Sequence, residues 1–179
     1  MLSAPDGSDL DHILFKHNRI YRHNLMRINY TTYDIRRKQD NINPATPHHN
    51  IMVLADNNHD SDDHPFLYAR VIGIFHANVI YTGYPVVDYR PRRLEFLWVR
   101  WYELDPRAPI GGWARSTLDR LRFPPMASKD AFGFLDPTDV VRAAHIVPKF
   151  SAGKRYIDAD GLSRCAKDSS DWHSYFVNR

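Results

Sequence analysis

One cysteine, Cys165, stands in a chain of 179 residues. A lone thiol excludes an intrachain disulfide and every cysteine-based zinc site, and it fits a reducing compartment. No apolar run approaches the ~20 residues that a membrane span needs. The opening, Met1 to Asp11, is acidic and polar and does not read as a secretory signal. Internal repeats and low-complexity tracts are missing. So are a Gly-rich phosphate loop, a Gly-x-Ser-x-Gly elbow and HxH, HExxH or calcium-loop spacings. A nuclease or transposase centre needs several carboxylates converging on paired metals, whereas Asp88, Asp105, Asp136 and Asp139 are scattered over turns. Cys165 sits in a polar loop with no His beside it. The sequence therefore predicts no enzyme, no catalytic residue, no metal site and no cofactor.

What is present is enough apolar material for a core: 43% of the chain. Twelve prolines against eight glycines suggest short elements joined by stiff loops. Lys and Arg number 24 against 21 Asp and Glu, and the pI is about 9.0. Residues 1–65 carry seven Lys/Arg against nine Asp/Glu, while residues 66–149 carry twelve against eight. The basic excess thus lies in the part with the strongest strand pattern, a balance that permits nucleic-acid contact without demanding it.

Residues 1–11 read as a flexible tail, 12–150 as one β domain, and 151–179 as a loop with a terminal strand cut short. The leading Met-Leu-Ser-Ala-Pro-Asp-Gly-Ser run and the stop after an apolar patch give the look of a piece excised from a longer protein. Tyr30-Thr31-Thr32-Tyr33 is strongly β-prone and predicts a strand over roughly 25–36. Ile51 to Leu54 is a short buried strand bounded by turns. Phe66–Tyr81 is the strongest strand, with Leu67, Ala69, Val71, Gly73, Phe75 and Ala77 as its cleaner core face. Gly73 predicts a bulge or bend. Arg93–Leu104 is apolar on both faces, so it should lie central, beside Phe66–Tyr81 and antiparallel to it, with Trp98 or Trp101 largely buried. Residues 113–129 read as either a helical turn or a crossing strand. Ala131–Leu135 reads as a strand, and Asp136-Pro137 as the cap and first position of a helix. A strand follows over Ala144–Phe150, then a polar loop over 151–170 and a last apolar segment with Trp172, Tyr175, Phe176 and Val177.

Three constellations are candidates for chemistry. The first is His48, His49, His59, Asp60, Asp62, Asp63 and His64: the right ligand types for zinc or manganese, but without metal spacing, so a solvated loop is the simpler reading. The second is basic. Arg90, Arg92 and Arg93 flank Pro91 in a loop, and Arg36, Arg37 and Lys38 end a strand; such tips clamp phosphates, or are ordinary solvated charge balanced by Asp34, Asp40 and Asp88. The third is aromatic: Tyr68, Phe75, Trp98, Trp101, Tyr102 and Trp113. Tyr68, Trp98, Trp101 and Tyr102 form a candidate aromatic surface that would cage a methylated cation or stack bases, or they fill a small core.

Phe66 to Phe75, followed by Phe96-Leu97-Trp98-Val99-Arg100-Trp101-Tyr102, resembles the core of a bromo-adjacent homology (BAH) domain. Phe132 to Val141 with His145-Ile146-Val147 resembles that domain's later segment. From about His12 onward the chain also resembles the region after the catalytic domain in Plavaka-type transposases of mushroom-forming fungi, relatives of the CACTA elements. Arg27 to Asp34, Ala69 to Tyr81, Leu94 to Tyr102 and Ala131 to Asp136 carry that likeness. No segment matches the transposase catalytic domain. The fold predicted is mainly β: a partly open small barrel, BAH- or SH3-like, with long loops and one or two short helices. The resemblance implies a non-catalytic accessory module of a transposon-derived protein that contacts DNA, chromatin or a nucleosome inside the cell, in the nucleus. The alternative is a structural domain that packs against the rest of a transposase with no ligand of its own. A membrane or small-molecule partner is not expected.

Overall fold

The two long alternating segments pair as their pattern predicts. In the computed structural model, which describes residues 12–31, 34, 36–55, 64–83, 88–106, 118–158 and 160–178, Phe66–Tyr81 (β5) runs antiparallel to Asp88–Trp101 (β6), with Arg70 opposite Arg100 and Ala77 opposite Leu94. Asn50–Leu54 (β4) pairs with the first half of β5. Ile13–His23 (β1) pairs with its second half. Phe132–Leu135 (β9) and Val140–Ala143 (β10) complete this sheet in the order β10-β4-β5-β6-β9, with β1 on β5 off that path. Met26–Thr31 (β2) and Arg37–Ile42 (β3) form a separate hairpin. Glu103–Leu104 (β7), Asp119–Arg122 (β8), His145–Pro148 (β11) and Tyr175–Asn178 (β12) form a third sheet in the order β11-β12-β8-β7.

The protein is mainly β, and its helical turns are short. Among the described residues no sheet closes into a barrel. Strands with two apolar faces are served differently: the central sheet is covered from both sides. On one face Ala69, Val71, Ile74, Leu97 and Val99 pack with Ile51, Val53, Val140 and, from the hairpin, Ile42, Met26 and Ile28. On the other, Met52, Tyr68 and Tyr102 pack with Leu121, Phe123, Tyr175 and Val177 from the third sheet and its flank. Burying one Leu or Val side chain contributes about 1.5–3 kcal/mol, so both layers are needed to offset the ordering of so long a β5.

Several expectations need correction. The strand expected over roughly 25–36 is β2, Met26–Thr31, and it pairs with a second strand, β3, that begins beyond it at Arg37. Asp136 does cap a turn, accepting from the Thr138 backbone N–H at 2.8 Å and its hydroxyl at 2.7 Å. Only one 3-10 turn, Pro137–Asp139, follows before β-branched Val140 and Val141 resume strand geometry. Within the ambiguous stretch 113–129, the described Asp119–Arg122 is a strand. The irregularity in β5 falls between Val71 and Gly73 and shifts the register by one. That shift moves Val71 onto the face of Ile74 and puts Phe75 and Ala77 on the face of Arg70, so the face predicted from strict alternation is broken at the glycine. Trp98 and Trp101 are each mostly covered without being fully enclosed, Trp101 by packing against the first core.

Arg100, between those two tryptophans, is wholly buried. Arg70 lies opposite it on β5, and both guanidinium groups donate to one carboxylate, Asp171, at 2.7 Å (Arg70) and 2.5 Å (Arg100). The Arg100 and Arg70 guanidinium carbons lie 3.9 and 4.5 Å from the centre of the Phe123 ring. Nε of Arg70 and Nε and Nη2 of Arg100 have no hydrogen-bond partner among the described residues, so Phe123 supplies their counter-face as a cation–π contact. Burial opposes the Arg70 charge, but Tyr102, Asp171 and Tyr175 outweigh it and hold its pKa above the ordinary arginine value. Nearby, Asp168 accepts from the backbone N–H groups of Leu162 and Ser163. Burial would raise its pKa, but those bonds and Arg100 bring it below the usual carboxylate value.

Candidate nucleic-acid interface

Beyond the two cores, β1, the second half of β5 and the first half of β6 continue as a three-stranded arm. Its charge is lopsided. Residues 12–23, 75–83 and 88–95 hold Lys16, Arg19, Arg22, Arg90, Arg92 and Arg93 against only Asp88 and Glu95. All six cations are exposed. Arg92 pairs with Asp88 at 2.8 Å and Arg93 with Glu95 at 2.8 Å. Lys16, Arg19, Arg22 and Arg90 form no ion pair among the described residues. Asp88 accepts the Arg90 backbone N–H and an Arg92 N–H, which hold its pKa below the usual carboxylate value.

Arg90, Arg92 and Arg93 therefore lie within β6, not on a loop tip as the proline beside them suggested. Pro91 is tolerated because the register shifts there: Val79 faces Arg92, Tyr81 faces Asp88, and the residues between make no regular ladder. Arg37 and Lys38 lie on β3, preceded by Arg36, which bonds Asp34 at 3.0 Å. They line a shallow cleft of the hairpin with Asn29, Tyr30 and Gln39. The hairpin touches β10, whereas β6 is three strands away across the sheet. The two predicted basic clusters thus belong to separate parts of the molecule. Lys16, Arg19 and Arg22 escaped the sequence reading because exposed β1 has no core alternation. Its Ile13-Leu14-Phe15 and Ile20-Tyr21 runs were the available signal.

The arm's two faces differ. One carries Phe15, Ile20, Phe75, Leu94 and Phe96, continued by Phe134 on β9. Phe75 stacks on Phe96 at 5.5 Å and Phe96 meets Phe134 edge-on at 5.8 Å. The other carries Tyr21 stacked on His76 at 4.7 Å, with His23 Nε2 and His76 Nδ1 sharing a hydrogen bond at 2.6 Å. Desolvation, Arg93 and His23 lower the His76 pKa.

The candidate aromatic surface is divided. Tyr68 and Tyr102 are buried in the second core, Trp101 packs against the first, and Trp98 tilts against Phe132 at 6.2 Å. Of the His/Asp set, His59, Asp60, Asp62 and Asp63 lie outside the described residues, as does Trp113. His64 bonds Asp119 at 2.9 Å and the Phe66 carbonyl oxygen at 2.8 Å. Among the described residues no three His, Cys, Asp or Glu side chains gather into a metal-holding group. No family model, curated protein or solved structure significantly matches this chain.

Proposed function

We propose that this chain is a non-catalytic binding module of a transposon-derived protein that contacts DNA, free or in chromatin, through backbone phosphates. The observation that carries the reading is the arm: six exposed cations against two acids on an antiparallel sheet whose outer strands β1 and β6 have no further strand partner there among the described residues. Arginine's planar fork holds a phosphate with two parallel bonds. Phosphate contacts carry no base information, so binding is sequence-tolerant and steeply salt-dependent. The test is a duplex titration at several salt concentrations with wild type and an Arg90→Ala/Arg92→Ala/Arg93→Ala variant. The salt slope should flatten by about two to three units if each arginine meets one phosphate. Superimposable curves, or no binding at low salt, would remove this reading.

A second reading has its own observation. Phe15, Ile20, Leu94 and Phe134 are 45%, 56%, 50% and 73% exposed on one continuous face. Such a patch suits a domain that packs against the remainder of a longer protein. Under that reading Phe15→Glu/Ile20→Glu abolishes association with a transposase catalytic domain and leaves DNA binding intact. Unchanged association would exclude it.

A further inference from the structure

A cleft of about 610 Å3 opens on the third sheet, away from the arm. Pro125 and Ala152 give it apolar lining, and Arg120, Arg122, Lys149, Arg155 and His173 line it as well. Two of these cations are already neutralised: Arg120 by Asp105 at 2.8 Å and Arg122 by Glu103 at 2.7 Å. Lys149 and Arg155 have no carboxylate partner among the described residues.

Their positions are fixed by the backbone. The Lys149 N–H donates to the Ser174 carbonyl oxygen at 2.9 Å, the Arg155 N–H to that of Asp171 at 2.8 Å, and the His173 N–H to that of Gly153 at 3.2 Å. Lys154 and Trp172 form a β-bridge in the same seam. The segment carrying Lys149 and Arg155 is therefore laced to the segment carrying His173 and to the buried Asp171 cluster. Two uncompensated cations held on a rigid frame match one dianion, and a phosphate monoester carries a charge of about −1.5 to −2 near neutral pH. The apolar lining of Pro125 and Ala152 suits an organic group, and the volume lies in the ordinary range for small-molecule sites.

We propose that this cleft binds a phosphorylated small organic molecule, its phosphate held by Lys149 and Arg155 with His173 as an additional donor, and its organic part against Pro125 and Ala152. The inference is independent of the arm and of DNA. Phenyl phosphate and inorganic phosphate are titrated separately into the whole 179-residue chain, followed by amide chemical shifts and calorimetry. Phenyl phosphate should bind saturably, more tightly than inorganic phosphate, with shifts confined to residues around 120–125, 149–155 and 171–174. Lys149→Ala/Arg155→Ala should weaken it by about tenfold or more, while the charge-conserving Lys149→Arg/Arg155→Lys variant, which keeps both cations, retains binding. The arm triple-alanine variant should bind phenyl phosphate like wild type. Absence of shifts, equal affinity for the two probes, or equal affinity of wild type and the double-alanine variant would overturn the proposal. Displacement of phenyl phosphate by duplex DNA would also overturn it, making the cleft part of the DNA surface.

Discussion

Replacing Asp171 by Asn keeps the shape of the side chain and removes its charge. In the folded protein this carboxylate is fully buried and receives one N–H from Arg70 and one from Arg100, at 2.7 and 2.5 Å. Asn offers one acceptor in place of two, and its NH2 group faces a guanidinium that can only donate. Hydrogen bonds to charged groups contribute about 1.5–3 kcal/mol each, and breaking a buried ion pair from one side costs about 3–5 kcal/mol because the surviving charge has nowhere to go. Asp171→Asn should therefore lower the unfolding free energy by about 3–5 kcal/mol, a large part of the ~5–15 kcal/mol typical of a domain. Urea unfolding at neutral pH, followed by tryptophan fluorescence, reads this as a lower midpoint at unchanged slope. A companion variant, Arg70→Met/Arg100→Met/Asp171→Leu, removes all three charges at once and should lose far less, since well-packed apolar replacements of buried ion clusters are often neutral or stabilising. A loss below about 1 kcal/mol for Asp171→Asn, or an equal loss for the triple variant, would refute the account of the cluster.

Further outcomes follow from other residues. Burial and Arg70 pull the His49 pKa down to about 4 from 6.5. Between those values the unfolded chain takes up a proton that the folded one refuses. Stability is thus full above about pH 6.5 and falls by up to about 3 kcal/mol as the pH drops to 4; His49→Gln should flatten that part of the stability–pH curve, and an unchanged curve would contradict the assignment. Leu97→Ala, at a position with no exposed surface in the first core, should cost about 2–5 kcal/mol in thermal or urea unfolding; a surface-like loss would mean that core is misplaced. A Cβ on Gly133 would lie 2.6 Å from Trp101 Nε1, so Gly133→Ala should destabilise by about 1–3 kcal/mol and shift the tryptophan emission. An unshifted spectrum with wild-type stability would count against that contact.

The pairing of β5 with β6 was legible because alternation over so long a stretch leaves few other arrangements, and Gly73 announced the irregularity. What alternation cannot reveal is a register shift's effect on the residues beyond it, which is why Phe75 was assigned to the wrong side. β3, with the sequence Arg-Lys-Gln-Asp-Asn-Ile, has no β signature of its own and is a strand because β2 pairs with it and Ile42 anchors its end. Covering layers in place of barrel closure were equally hidden, because both remedies hide the same apolar faces. Arg70 and Arg100 stood in plain view on two apolar strands, but their acceptor lies 101 and 71 residues further along the chain, a separation no local pattern spans. The arm was half legible: Arg90, Arg92 and Arg93 were visible as a cluster, while Lys16, Arg19 and Arg22 joined them only through the pairing of β1 with β5.

That separation also has a consequence for synthesis. On a ribosome adding about 5–20 residues per second, 71 residues take about 4–14 seconds. Throughout that interval Arg70 and Arg100 exist without their counter-charge, and like charges directly opposite one another oppose strand pairing. Chains arrested before residue 171 should be cut readily by protease within β5 and β6, and chains extended past it should resist; early resistance would disprove the delay. A central strand pair that waits for a late carboxylate would leave its apolar strands open, during that wait, to whatever chaperone or neighbouring chain meets them first.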